Sequence, residues 1–191
     1  MKKLTSEHYR SMPWKNGLGT TIELVVFPEY AQLDNFFWRI SRAQVVADSD
    51  FSQFPDIDRT LALLQGNGMR LNVNGQRCQL DQQNNMVSFP GDAKTHAELL
   101  NGPISDFNLM SRRLVCSHQL SHWEGESLRQ LPINTVFLFC AEGTGKLATA
   151  NSFWKFDADE SALFAASDDV TAYTLECNAN SRFYCVQIQL H

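Results

Sequence analysis

The sequence predicts an all-β fold, built as two tandem jelly-roll barrels with few short helices. Three observations carry this reading. Apolar and polar residues alternate with period 2 through most of the chain, Gly-x-Gly and Asn-Gly turns recur at short intervals, and one half of the chain partly repeats the other. No segment sustains the 3.6-residue spacing of an amphipathic helix.

Taken in order, "EHYRSM" can form one or two helical turns. "MPWKNGLGT" (Met12 to Thr20) follows, with Trp, Lys and Asn beside two glycines. Gly17 and Gly19 let the chain turn tightly into a first strand. In "TTIELVVF", Thr20, Ile22, Leu24 and Val26 share one face, and Thr21, Glu23, Val25 and Phe27 the other. Pro28 and "YAQLDN" separate it from "FFWRISRAQV", where Phe37, Arg39, Ser41 and Ala43 alternate with Phe36, Trp38, Ile40 and Arg42. "RTLALLQGNGMRLNVNGQRCQL" reads as three strands joined by two tight turns. A "FPGD" turn and the strand "DFNLM" complete the set.

The repeat has an offset of 77 residues: Gly66 and Gly68 align with Gly143 and Gly145, and "DFNLM" with "FYCVQ". The polar stretch "SRRLVCSHQLSHWEGESLRQLP" joins the copies. A glycine-turned hairpin, a "FPGD" turn and an alternating strand follow the order of a cupin-like jelly roll. The expectation is a bicupin: 1–114 as a barrel with extra N-terminal strands and 115–191 as a plainer one, the two either separate or sharing strands in one compact unit.

With 191 residues the chain can bury a substantial core. Its 16 basic and 21 acidic residues give a formal charge of −5, which disfavours nucleic acid and anionic membrane as partners. The five cysteines include no CxxC pair, so neither a disulfide framework nor a zinc knuckle is expected. "MKKLTSEHYR" lacks the apolar core of a signal peptide, and "VFLFCA" is far too short to span a bilayer. A cytoplasmic protein is the simplest expectation.

The motifs "PWKNGLGTTIEL", "FFWRISRAQV", "FSQFPDIDRTLALLQGNG" and "DFNLMSRR", in this order and spacing, resemble the HutD/Ves family of bacterial bicupin-like proteins. The resemblance is detailed over the first two thirds of the chain. Two positions depart from it: the family usually has glycine where Leu18 and Asp56 stand. The resemblance implies a small-molecule-binding accessory or regulatory protein, associated in HutD-type members with histidine breakdown and in Ves-type members with stress induction. It implies no catalytic mechanism.

Many cupins bind a metal through a His-x-His pair, a Glu and a later His. The strand in "FSQFPDIDRTLALL" carries no histidine, and only His96 lies near the later position. His118 and His122, in the linker, lack the Glu of an HExxH motif. No metal or other cofactor is expected. G-x-S-x-G and phosphate-loop spacings are absent, and the acidic pairs Asp56/Asp58 and Asp168/Asp169 sit in turn-like sequence.

Polar residues on otherwise apolar strands remain: Lys15, Asn16, Thr20, Glu23, Trp38, Arg39, Ser41, Arg59, Asp106, Asn108 and Arg112. Such groups face water, form structural ion pairs such as Arg39 with Asp106, or line a site. Arginine suits a planar carboxylate because it donates two parallel N–H bonds. Lys15 adds charge, Asn16 orients, and Trp14 or Trp38 covers an apolar portion. Together they describe a pocket for a small organic acid; urocanate or a formylated amino-acid intermediate is suggested by the family resemblance alone. The leading expectation is a non-enzymatic binder. A metal-free cupin-type enzyme using Lys15, Glu23 or Asp106 as acid or base, and a structural or stress-induced interaction module, are the alternatives. An open jelly-roll edge leaves a homodimer open.

Overall fold

The computed structural model describes residues 1–14 and 17–191. Among them strand is the dominant secondary structure, with two 3-10 turns as the helical elements. β1 (Lys2–Leu4) is followed by a 3-10 turn (Ser6–His8), β2 (Arg10–Pro13), β3 (Gly19–Phe27), β4 (Trp38–Val45), β5 (Ser49–Asp50), β6 (Ile57–Gln65), β7 (Met69–Val73), β8 (Gln76–Leu80), β9 (Met86–Pro90), β10 (Thr95–Leu99) and β11 (Ile104–Arg112). Then come β12 (Cys116–Glu124), β13 (Ser127–Gln130), β14 (Thr135–Glu142), β15 (Thr144–Ala148), β16 (Phe153–Asp157), β17 (Ser161–Leu163), a second 3-10 turn (Val170–Ala172), β18 (Thr174–Cys177) and β19 (Arg182–Leu190). No helix among the described residues is long and apolar enough to cross a membrane.

The chain divides into two units: Tyr9–Ser117 with His191, and Met1–His8 with His118–Leu190. The first unit has a six-stranded sheet of order β2-β3-β4-β11-β6-β9 and a four-stranded sheet of order β5-β10-β7-β8. Their shared core joins Val45, Leu61, Leu63, Phe89 and Ile104 of one sheet to Met69, Leu71, Leu80 and Ala97 of the other. In the second unit a sheet of order β1-β17-β14-β19-β12 accompanies one of order β13-β18-β15-β16. Its core runs through Leu138, Cys140, Phe183 and Cys185 to Leu147, Phe156, Leu175 and Cys177.

Among the described residues the sheets are not closed into barrels, which corrects that part of the sequence reading. Each unit keeps two open sheets. The edges account for this: β2 and β9 end in Pro13 and Pro90, which have no N–H to donate, and β5 is two residues long.

Strand orders in the two units correspond. β4-β11-β6-β9 matches β12-β19-β14-β17, and β5-β10-β7-β8 matches β13-β18-β15-β16. The turns correspond as well. Gly66 (φ 95°) and Gly143 (φ 69°) both adopt left-handed backbone. A Cβ at Gly66 would lie 2.6 Å from the Pro103 carbonyl oxygen, and one at Gly143 would lie 2.5 Å from that of Asn180. Those two oxygens are also 77 residues apart. Replacing Gly66 or Gly143 by Ala therefore adds a disfavoured φ to a backbone clash. Each variant is expected to lose about 1–3 kcal/mol in urea denaturation; an unchanged midpoint in either would show that the turn can relax.

Candidate functional site

Register partners in an antiparallel ladder share a face of the sheet. Asn108 lies opposite Ser41 on one side and Leu61 on the other; Met110 lies opposite Arg39 and Arg59; Asp106 lies opposite Ala43 and Leu63. Glu23 pairs with Ser41. Glu23, Arg39, Ser41, Arg59, Asp106 and Asn108 therefore stand on one face. It is the inner one, since Leu61, Leu63 and Phe89 on it belong to the core shared with the four-stranded sheet.

Burial of this set is deep. Asp106 is 2% exposed, Arg39 4%, Arg59 6% and Asn108 9%. Arg39 donates from Nε to Glu23 Oε2 at 2.6 Å and from Nη1 to Ser41 Oγ at 3.5 Å. The ion pair that the alternation allowed between Arg39 and Asp106 is thus made to Glu23 instead. Arg59 is held differently. Its guanidinium carbon lies 4.9 Å from the centre of the Phe51 ring, 5.3 Å from Phe89 and 5.8 Å from Phe54. Rings around a guanidinium stabilise the cation without using its N–H donors. Among the described residues, Arg59 Nε, Asp106 Oδ1 and Asn108 Oδ1 have no hydrogen-bond partner.

Electrostatics follow from this burial. Desolvation lowers Arg59 to about 10, opposed by the nearby Asp106 carboxylate and assisted by Arg39, so it stays charged at neutral pH. Desolvation raises Asp106 to about 7, against the pull of Arg59. The unfolded chain releases that proton near the ordinary value of 3.8. Folding is thus linked to a bound proton. The stabilisation from Asp106 is complete below about pH 4, declines as the pH rises, and is gone above about pH 7, a change of roughly 4 kcal/mol. Asp106→Asn is expected to flatten this decline in urea midpoints taken from pH 4.5 to 7.5; the wild-type slope persisting in the variant would remove Asp106 as its source.

Other residues singled out in the sequence lie elsewhere. Lys15 and Asn16 fall outside the described residues. Thr20 pairs with Gln44 and Trp38 with Phe27, which places both on the opposite face of the sheet from Arg39. Trp38 is stacked on Phe27 with ring centres 5.5 Å apart. Arg112 spends its guanidinium on the carbonyls of Phe36 and Asp34, both at 2.9 Å, and so pins the β3–β4 connection. Trp14 donates to Thr21 Oγ1 at 2.8 Å, and its ring lies against Gly19, where a Cβ would be 2.9 Å from it. The second glycine of "NGLGT" makes room for that ring. Asp56, where the family usually has glycine, has φ 61°, a left-handed conformation that Asp tolerates better than most residues.

Sequence reasoning missed Phe51, Phe54 and Phe89 as partners of Arg59, and Thr21. "FSQFPDIDR" and "SFP" held the aromatic signal, but only the fold brings the three rings to one side chain. The corresponding face of the second unit is apolar. Phe183 and Cys185 occupy the positions 77 residues after Asp106 and Asn108, and both are fully buried in its core. Two surface concavities lie away from the polar set: about 160 Å³ lined by Arg70, Asn72, Arg77 and His96, and about 500 Å³ lined by Ser127, Leu128, Glu176 and Asn178.

These donors do not fit a metal ion. Two guanidiniums offer no lone pair and repel a cation. Among the described residues no group of three His, Cys, Asp or Glu could hold one. His96 is paired with exposed Asp50 at 2.7 Å.

A family model described as HutD matches residues 6–185. The chain is 34% identical over 150 residues to an uncharacterized 21.2 kDa protein in the hutC 3′ region of Pseudomonas putida, covering 78% of each. It is 34% identical over 111 residues to protein Ves of Citrobacter koseri, covering 56% of this chain and 57% of that one. Among solved structures, a conserved protein of unknown function from Pseudomonas aeruginosa PAO1 superposes with a TM-score of 0.88 at 28% identity, covering 98% of both chains. HutD from Pseudomonas fluorescens SBW25, solved in a formate condition, gives 0.80 at 25% identity, covering 100% of this chain and 98% of the other. A cupin 2 conserved barrel domain protein from Leptotrichia buccalis gives 0.56 at 12% identity, covering 98% and 96%, and shows likeness of fold alone.

Proposed function

The chain belongs to the HutD family, and from that premise we propose that it is a non-enzymatic binder of a small organic acid, accessory or regulatory to histidine utilisation. One observation carries the reading. Arg59 is buried, charged and surrounded by aromatic rings, yet keeps an N–H donor without a partner among the described residues, beside two acceptors that also have none there. A guanidinium so placed is suited to a carboxylate, which it can grip through two parallel bonds. The matching strand orders support a bicupin architecture in which the first unit holds the ligand and the second is a filled copy. The names of the relatives, HutD and the hutC 3′ region, support the link to histidine breakdown. Five unpaired cysteines accord with a reducing, cytoplasmic setting.

The reading is tested by thermal shift with small carboxylates of histidine breakdown, urocanate and formylated amino acids included. A bound acid at 100 times its Kd adds about 2.7 kcal/mol. A rise in Tm with no turnover supports the proposal; no rise with any of them contradicts it. A second reading, a metal-free enzyme, is favoured by Asp106 alone, because a carboxyl titrating at about 7 suits general acid–base work at neutral pH. Consumption of the bound acid would select it.

A further inference from the structure

We infer that the acid taken by this site also carries an N–H or O–H donor, which pairs with Asp106 and Asn108 while its carboxylate pairs with Arg59. This rests on the reading above that the site binds a small acid, and adds what that acid must carry.

The two guanidiniums differ in what they leave free. Arg39 commits its Nε to Glu23 and an Nη to Ser41. Among the described residues Arg59 commits only a 3.5 Å contact from Nη1 to the Ser52 carbonyl, and its Nε has no partner there. The free side of Arg59 is thus the anchor for an anion. Two residues further along the inner face of β11 from Met110, which faces Arg59, stands Asn108, and two further stands Asp106. Each presents a buried oxygen to which no group of the described residues donates. A simple carboxylate offers only acceptors, so it would satisfy Arg59 and leave both oxygens stranded. Buried acceptors without donors are costly, and sites built with them discriminate strongly against ligands that cannot pair with them.

Charge points the same way. With Asp106 ionised, the described charged groups on this face are Arg39, Arg59, Glu23 and Asp106, which balance. The inner positions of the opposing four-stranded sheet hold Met69, Leu71, Leu80 and Ala97, which add none. A bare carboxylate would leave one uncompensated negative charge in the core. An amino acid-like ligand brings its own cation, which restores the balance.

The test compares butyrate, 3-hydroxybutyrate and 4-aminobutyrate by calorimetry on the full chain, in wild type and in Asn108→Leu and Asp106→Leu/Asn108→Leu. At least one donor-bearing acid is expected to bind tenfold or more tightly than butyrate. The leucine variants are expected to lose that preference; Asn108→Leu alone reports the effect should the double variant not fold. Equal binding of all three acids to wild type overturns this inference and leaves the acid reading standing. No binding by any of them at about 10 mM, where a millimolar Kd would register, overturns both.

Discussion

Arg59→Met is expected to abolish acid binding, with a loss of at least 100-fold in Kd, and to leave the protein folded. The binding loss follows from removing a buried guanidinium on the inner face whose Nε has no partner among the described residues; truncating a buried charged partner of a ligand commonly costs about 2–5 kcal/mol. The fold should survive because the variant removes a desolvated charge. Methionine is flexible enough to fill the space between Phe51, Phe54 and Phe89. Asp106, relieved of its cation, holds its proton more firmly and stays neutral. Stability at pH 6 should therefore fall by no more than about 1–2 kcal/mol, the scale of the lost cation–π contacts. Binding retained in a folded Arg59→Met variant would place the site elsewhere.

Arg39→Met should do the reverse and act mainly on stability. Its ion pair with Glu23 is 2.6 Å long, and the two side chains are 5% and 13% exposed. Removing the cation strands a carboxylate in the core, for which a loss of about 3–5 kcal/mol is expected. Glu23→Gln combined with Arg39→Met should recover most of it, because a neutral pair needs no counter-charge. Urea denaturation of the two single variants and the double variant measures the coupling. A loss below about 1 kcal/mol in Arg39→Met would show that water reaches Glu23 and that the pair is not a structural support.

The strand pattern and the turns were legible because period-2 alternation and glycine at left-handed positions are local properties. The polar stripe was legible for the same reason: Arg39 and Ser41, or Asp106 and Asn108, share parity whatever surrounds them. Parity also separates Trp38 from Arg39, one residue apart and so on opposite faces. Arg112 has the parity of Asp106, but carbonyls of the β3–β4 connection take its guanidinium, and no alternation rule predicts that. The Phe51–Phe54–Phe89 setting of Arg59 gathers two separate segments and needs the fold. Whether sheets close into barrels depends on edge strands such as β5, whose two residues leave little trace in the sequence. Pairing of β1 with β17 joins residues about 160 apart, beyond any local pattern.

The central claim is that the inner face bearing Arg39, Arg59, Asp106 and Asn108 receives a small acid. The most direct measurement is a crystal structure with 3-bromopropionate, read from the anomalous signal of bromine. The account predicts a peak between the sheets of the first unit, with the carboxylate on Arg59, and none inside the second unit, where Phe183 and Cys185 fill the corresponding space. Peaks on the outer surface alone, in crystals soaked to saturation, would contradict it.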